Sequence, residues 1–334
     1  MSTTIKVAII GTGPTAENHI VRQKRHSIFS PVNIFGKDVK RRRFLAEKHD
    51  LKEASTLDEC LNDKAIDAVD ISTVNNRHFA YALRALQSEK MVIVEKPAAF
   101  SLKEVDCLSQ ESLKRKIPVI VVLQKRYNWT FSKVLEGVEA GKFGKFIYGT
   151  STSFLPRPNS YYSSKYKNNK KLSGGGALIY QGIHDFDLIL QLVGSVSHIN
   201  GRLQNGYHQM EVEDTAYVEL NCLEGGKQVF CSSTNPNLPG RVTNELYFER
   251  ANVRYSDFDL TIHMNERSAD SEFTLGYLHR KRLQILRKFR GDYSNILQES
   301  ADIFHGRIEH SRCSIETTRN THRLIEDMYS IDKI

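Results

Sequence analysis

The sequence predicts an α/β chain of two domains: a doubly wound parallel sheet first, then an α+β domain with a large, mainly antiparallel sheet. Three observations carry this. Short β-branched runs alternate with amphipathic stretches over the first 123 residues, strands then follow one another with few helices between, and 334 residues exceed one ordinary domain.

In the first domain, expected over residues 1–123, Ile5–Ile10, Val32–Phe35, Ala68–Ser72, Met91–Val94 and Pro118–Leu123 read as strands. Thr56-Leu57-Asp58-Glu59 and Ser101-Leu102-Lys103-Glu104 are capping-box patterns that start helices between them. In the second domain, expected over residues 124–334, a helix is predicted around Phe131–Ala140 and a strand near Phe146–Phe154. A glycine-led helix runs through Leu192, and successive strands follow from about Ser197 to His263. A last helical pattern near Ile315–Tyr329, with Leu324, Ile325 and Met328 at helical spacing, packs back on one domain or the other.

Composition excludes several classes. Hydrophobic residues at 40% and charged residues at 26% exclude a disordered chain, and no apolar run is long enough to cross a bilayer. Met1-Ser2-Thr3-Thr4-Ile5-Lys6 enters a strand pattern without the parts of a signal peptide, so cytoplasm is the expected location. Five scattered cysteines without C-x-x-C spacing read as reduced thiols. A net charge of +8 favours acidic partners, which include a phosphorylated cofactor or a nucleotide-linked sugar.

Gly11-Thr12-Gly13-Pro14-Thr15-Ala16 sits between a strand and a helical stretch, where the dinucleotide fingerprint places glycines so that pyrophosphate approaches a helix N-terminus. At the end of the second strand stands Gly36-Lys37-Asp38, with no carboxylate at the strand tip. Room at Gly36 and charge from Lys37 and Arg41 suit a 2′-phosphate, so NADP(H) is preferred, with NAD(H) possible through Asp38. Ser72, Thr73, Asn75 and His78 follow the strand Ala68–Ser72, and Glu95-Lys96-Pro97 follows Met91–Val94; both lie at strand C-terminal ends, where open α/β sheets bind ligands. Gly174-Gly175-Gly176 leads a segment with Tyr180 and His184 four residues apart, one helix face. Arg157, Tyr161, Tyr162, Lys165 and Tyr166 mix cations and aromatics that suit a sugar or sugar phosphate. His184, Asp185 and Asp187 make a poor metal set, and no metal is expected; Asp187 is expected to orient a neighbour or bond backbone. Leu278–Arg290, with Arg280, Lys281, Arg282, Arg287, Lys288 and Arg290, reads as a basic amphipathic helix with an exposed or subunit-facing side.

Together these motifs resemble the glucose–fructose oxidoreductase/inositol dehydrogenase/rhizopine-catabolism (Gfo/Idh/MocA) family over essentially the whole chain. The resemblance rests on Gly11–Ala16, Thr73-Val74-Asn75 with His78, Glu95-Lys96-Pro97, Gln124-Lys125-Arg126-Tyr127, Gly174–Asp187 and Glu213-Asp214-Thr215-Ala216. It implies a Rossmann domain, then an α/β domain whose open sheet mediates assembly into a dimer or tetramer. It also implies hydride exchange between nicotinamide and a sugar, cyclic polyol or nucleotide-linked sugar, with Lys96 beside the reacting oxygen and His184 as acid/base. The family's aspartate four residues before that histidine is replaced by Tyr180, and Val74 stands where proline is common. Lys96, His184 and Tyr180 are therefore the candidate catalytic set. Lys96, Arg126, Arg157, Tyr161, Tyr180, His184 and Asp187 are the candidate substrate contacts. With a reference pKa of about 10, Tyr180 serves better as a donor to a developing alkoxide, all the more if Lys96 depresses that value, which tilts the expectation toward ketone reduction; the alternative is that it fills the aspartate's space and caps the pocket with an aromatic face. The alternative is a non-catalytic, dinucleotide- or sugar-sensing regulator on the same fold. No nucleic-acid-binding signature accompanies the basic segments, and neither nucleic acid nor membrane is an expected partner.

Overall fold

The computed structural model describes residues 4–332 apart from 164–165, 266–271, 275, 277–278, 283 and 286–292. The chain forms two compact units, Met1–Leu123 with Tyr293–Arg319, and Gln124–Asp292 with Asn320–Ile334. Residues 293–319, expected in the second domain, thus group with the first.

In the first unit, β1 (Ile5–Ile10), β2 (Phe29–Phe35), β3 (Lys52–Ala54), β4 (Ala68–Ile71), β5 (Met91–Val94) and β6 (Val119–Val121) form one sheet in the order β3-β2-β1-β4-β5-β6. Every pairing is parallel. β4 and β5 are buried along their whole length, as strands covered on both faces must be. Between strands run α1 (Pro14–Lys24), α2 (Val39–His49), α3 (Leu57–Leu61), α4 (His78–Gln87) and α5 (Leu102–Arg115). β2 begins three residues earlier than predicted. Pro31 supplies no N–H there, and the register against β1 slips between Val7 and Ala8, leaving Val32 without a partner in β1. The three-residue β3 was not predicted. Of the two capping boxes, Ser101–Glu104 forms both reciprocal bonds. At Thr56 the Glu59 carboxylate instead accepts from the Ser55 amide, one residue early, and from the Thr56 hydroxyl.

The returning segment supplies α9 (Tyr293–Phe304), which the sequence reading missed, and a short 3₁₀ turn, Ile315–Thr318. It is tied to the sheet where the Val121 amide donates to the Cys313 carbonyl at 2.8 Å. A second tie is polar and buried. Asp70, in the middle of β4, is 0% exposed; its carboxylate accepts from Gln23 at 2.5 Å, from the Tyr293 hydroxyl at 2.7 Å and faces His19 Nδ1 at 2.9 Å. The Tyr293 ring stacks on His19 at 4.3 Å. The other imidazole nitrogen, Nε2, lies 3.3 Å from Glu95. With a carboxylate at each nitrogen, the ring carries a proton on both. Burial by itself would lower the His19 pKa, but Asp70 and then Glu95 outweigh it and push the group up to about 10.

In the second unit, β7 (Phe146–Phe154), β8 (Val196–Gln204), β9 (Thr215–Cys222), β10 (Lys227–Ser233), β11 (Val242–Phe248), β12 (Ala251–Tyr255), β13 (Leu260–Met264) and β14 (Glu272–Thr274) form a sheet in the order β14-β13-β12-β11-β7-β10-β9-β8. Only β7 and β10 pair in parallel among its described strands. One face packs a core in which α6 (Trp129–Glu139) contributes Phe131, α8 (Ile183–Leu192) Phe186 and α10 (Arg319–Ile331) Leu324 and Met328; the one-turn α7 (Lys170–Ser173) comes between α6 and α8 in the chain. On the other face Tyr148, Tyr217 and Tyr247 stay 40–47% exposed, so the strands alternate between core and open surface. Residues 279–282 of the predicted basic helix are helical, with Arg280 Nε 3.1 Å from Asp259; Leu278, Arg287, Lys288 and Arg290 lie outside the described residues. Among the described residues no helix is long and apolar enough to cross a membrane.

Arg126 and Asp187 anchor α8 and α10 in this core. Both are buried, and the guanidinium donates twice, from Nε at 2.7 Å and Nη2 at 2.5 Å, while Thr321 donates to the same carboxylate at 2.8 Å.

Two outcomes follow from these networks. Arg126→Met, which strands a buried carboxylate, destabilises the protein by about 4 kcal/mol in denaturant titration, and adding Asp187→Leu recovers much of the loss. A single-variant cost under about 1 kcal/mol would refute the pairing. Because the folded pKa of His19 exceeds its unfolded value, its stabilisation is full below about pH 6.5 and disappears as pH rises toward 10. Wild-type Tm therefore declines across that window more steeply than that of His19→Gln; parallel profiles would exclude a buried imidazolium.

Candidate functional site

The strand order of the first sheet reverses between β1 and β4, and the loops leaving the C-terminal ends of those strands gather the predicted cofactor residues. Gly11 has φ 148°, and a Cβ there would lie 2.4 Å from the Ser72 carbonyl oxygen. Its amide also donates to Phe35 O at 2.8 Å, so the tips of β1, β2 and β4 close on a residue that only glycine can supply. Gly13 is the N-cap of α1, with open space where a Cβ would stand and no side chain capping the helix, and Pro14 occupies its first turn. Ala16 is buried beneath that turn. Ser72 is 5% exposed, and its Oγ has no partner in the structure. Uncapped helix amides and a glycine without cover suit an anion.

Beside it, the Thr12 methyl packs against Gly36, where a Cβ would meet it at 2.5 Å. Asp38 caps α2 by accepting from the Arg41 amide at 2.9 Å. The Arg41 guanidinium lies 2.5 Å from Glu17, and Arg42 turns inward to Gly36 O at 3.1 Å and Glu53 at 3.4 Å. Of the basic groups expected at a 2′-phosphate, Arg41 is thus already engaged by an acid.

Two predicted cofactor residues also brace the loops around them. His78, at the start of α4, is buried with Nδ1 2.8 Å from Pro97 O and Nε2 3.1 Å from Thr73 O, so it ties the loop of Thr73 and Asn75 to the loop of Lys96. Burial holds its pKa below the ordinary value, against the pull of the two carbonyls. Glu95 faces His19, and its other oxygen accepts from the Lys96 amide at 3.1 Å. Burial would raise the Glu95 carboxyl, but His19 more than compensates and keeps it low. Lys96 then enters a cis peptide with Pro97.

In the second unit the glycine run is shaped by Glu213. A Cβ on Gly176 would fall 1.9 Å from Glu213 O, and one on Gly175 2.1 Å from the Tyr329 hydroxyl. The buried Glu213 carboxylate accepts from Gly176 N at 3.0 Å, Leu178 N at 2.9 Å and the Tyr329 hydroxyl at 2.6 Å. It thereby caps a π-helix, Ala177–Gly182, which carries Tyr180 and leads into α8 with His184. The single α-helix expected over both residues is therefore widened by a π turn, a device frequent at functional sites. It changes the angle between Tyr180 and His184 from that of an α-helical i,i+4 pair.

Tyr180 sits beside Tyr166, ring centroids 6.0 Å apart and nearly perpendicular. Burial, and then Tyr166 and Tyr161, drive its pKa well above the ordinary phenol value, opposite to the depression that a neighbouring lysine would cause. The phenol that moves down is Tyr161. Burial opposes the shift, but an N–H from Gln181, at 3.0 Å, together with Lys167, Tyr180 and Arg157, prevails. Arg157 donates to Gln181 Oε1 at 3.1 Å, so Gln181 links Arg157 to Tyr161. Lys165 lies outside the described residues. Arg126 and Asp187, expected to touch substrate, are instead bonded to each other in the core, Asp187 orienting its neighbour as the sequence also allowed. Among the described residues no group of three possible ligands could hold a metal.

Sequence reasoning missed His19, Asp70, Tyr293, Gln181 and Lys167. A carboxylate inside the apolar run Ala68-Val69-Asp70-Ile71, with His19 and Gln23 one helical turn apart, was the legible signal for the first cluster.

Comparisons with known proteins agree with this layout. Residues 5–122 match a model described as an oxidoreductase family with an NAD-binding Rossmann fold, and residues 131–254 match the GFO/IDH/MocA C-terminal domain. An uncharacterised oxidoreductase of Escherichia coli, YhhX, is 28% identical over 50% of this chain and 46% of its own. Myo-inositol 2-dehydrogenase of Thermotoga maritima is 26% identical over 57% and 55%. The chain thus spans about half the length of these relatives. Among solved structures, WlbA dehydrogenase from Bordetella pertussis, in complex with NADH and UDP-GlcNAcA, superposes with a TM-score of 0.88 at 21% identity, covering 99% of this chain and 96% of that one. Levoglucosan dehydrogenase, in complex with NADH and levoglucosan, gives 0.84 at 18% identity, covering 98% and 97%. At such identities the superpositions speak for the fold, while the two matched models cover well over half of the sequence: the chain belongs to the Gfo/Idh/MocA oxidoreductase family.

Proposed function

We propose that the protein is a cytoplasmic, nicotinamide-dependent oxidoreductase that interconverts a hydroxyl and a ketone on a sugar, cyclic polyol or nucleotide-linked sugar. One observation carries the reading: at the switch point of a parallel sheet, the tight turn at Gly11 and the uncapped N-terminus of α1, open at Gly13, suit a dinucleotide pyrophosphate. The nicotinamide, when bound, accepts or supplies the hydride. NADP(H) is the preferred form, supported by the missing carboxylate at Gly36 and by Lys37, with NAD(H) also accepted.

Lys96 stabilises negative charge on the reacting oxygen, and His184 carries the proton. Tyr180 keeps its proton at neutral pH, so it can give a proton to a nascent alkoxide but is not ionised to take one. This favours ketone reduction. Relatives that carry inositol and levoglucosan dehydrogenase names, and a structural neighbour holding UDP-GlcNAcA, support the substrate class. We further propose a homo-oligomer, dimer or tetramer, that covers Tyr148, Tyr217 and Tyr247 on the open sheet. A monomer mass by light scattering at micromolar concentration would end that part.

Fluorescence titration with NADPH and NADH, followed by sugar-dependent change in nicotinamide absorbance, tests the reading. Lys37→Ala weakens NADPH binding about tenfold and leaves NADH unaffected. Lys96→Ala lowers turnover about a hundredfold or more while both nucleotides still bind. If neither nucleotide binds folded, cofactor-free protein, the enzyme reading fails. Binding without transfer to any sugar would favour a sensing role instead.

A further inference from the structure

We propose that Arg157, Tyr161 and Lys167 form a subsite for an anionic group, so that the sugar taken by this protein is an acidic one bearing a carboxylate or a phosphate. The inference rests on the sugar-oxidoreductase reading and narrows its substrate class.

Two cations converge on a single phenol. Lys167 Nζ lies 3.4 Å from the centroid of the Tyr161 ring, and the Arg157 guanidinium carbon lies 5.1 Å from it. Arg157 is fixed rather than free to swing. Its amide donates to Thr234 O at 2.9 Å, Nη2 donates to Gln181 Oε1 at 3.1 Å and Nη1 reaches Pro156 O at 3.4 Å. Every one of those acceptors is neutral, and among the described residues no carboxylate lies within ion-pair distance of Arg157. Its Nε is buried and has no hydrogen-bond partner. Gln181, itself buried, uses its amide oxygen for Arg157 and its amide nitrogen for Tyr161, which locks the two side chains in register.

Acidic groups nearby in the chain are turned to other work. Glu211 accepts from Asn169 at 2.9 Å and from the Lys170 amide at 3.3 Å. Glu213 is taken by Tyr329 and the glycine run, and Asp214 by the amides of Tyr207 at 2.6 Å and His208 at 2.8 Å. A half-buried guanidinium with only neutral partners and an orphaned N–H has a desolvation cost that an incoming anion would offset. Against burial, the Gln181 N–H and then the charges of Lys167 and Arg157 lower the Tyr161 pKa, so both cations act at the phenol oxygen. Arg157 offers the planar fork that suits a carboxylate or a phosphate, while Lys167 adds a point charge above the ring.

The test uses ligands matched in everything except the anionic group: glucuronate against glucose, UDP-glucuronate against UDP-glucose, and glucose 6-phosphate against glucose. Each is titrated calorimetrically into the full-length protein, with and without saturating NADPH. The acidic member of at least one pair binds about tenfold tighter or better, and Arg157→Gln reduces that ratio to about twofold while the neutral member keeps its affinity. Lys167→Gln gives an intermediate loss and serves if Arg157→Gln does not fold. Discrimination in the carboxylate pairs alone identifies a uronate, and in the phosphate pair alone a sugar phosphate. The proposal is overturned if no pair discriminates, if none of the ligands binds, or if both variants retain the wild-type ratio. Absent NADPH binding would count against the cofactor reading alone, since the ratios are also measured without it.

Discussion

A carboxylate buried in the middle of a parallel sheet is the constraint from which the first unit is organised. Asp70 occupies a position where every neighbour along β4 is apolar, and no water reaches it to supply hydrogen bonds. It must therefore draw polar partners from the elements that cover the sheet, and it draws them from two: His19 and Gln23 on α1, and Tyr293 at the head of α9. The charge imposed on His19 then attracts Glu95, one strand further along, and Glu95 in turn holds the backbone of Lys96. The residue given the central chemical role thus stands at the end of a chain of contacts that begins with a strand residue the ligand would never touch.

The second unit solves a similar problem with similar means. Glu213 is buried where three donors converge, two of them amides at the start of a π-helix and one the hydroxyl of Tyr329. Burial raises its pKa, against these donors. The glycines at 175 and 176 are needed because those donors and the chain that brings them lie too close for any side chain. In each unit, a glycine turn is shaped by polar groups packed behind it.

Much of this was legible in the sequence, and the gaps have physical causes. Alternating apolar runs and helical stretches report burial on both faces of a sheet, so the doubly wound half could be read strand by strand, save β3, whose three residues carry too little pattern. The glycine turn, the Glu95-Lys96-Pro97 corner and the glycine-led segment were visible because backbone geometry there restricts residue type. The partners of charged side chains were not visible. Arg126 and Asp187 carry the residue types of a substrate site, and only the packing of α8 and α10 shows them paired inside the core. The surroundings of Tyr180 were hidden too: burial, and then Tyr166 and Tyr161, raise its pKa, and nothing in residue spacing announces that cluster. The π turn was equally hidden, since its i→i+5 bonding leaves no mark on apolar spacing over six residues.

The return of residues 293–319 to the first unit has a consequence for how the chain is made. A ribosome releasing the protein from its N-terminus delivers all six strands of the parallel sheet long before it delivers Tyr293. During that interval Asp70 has Gln23 and His19 but lacks the hydroxyl that donates to it and the ring that stacks on the imidazole. The whole sheet-bearing portion of the second unit must emerge in between. The unit that carries the parallel sheet is therefore completed only after the strands of the second unit have been made, and its closure depends on a stretch encoded beyond them.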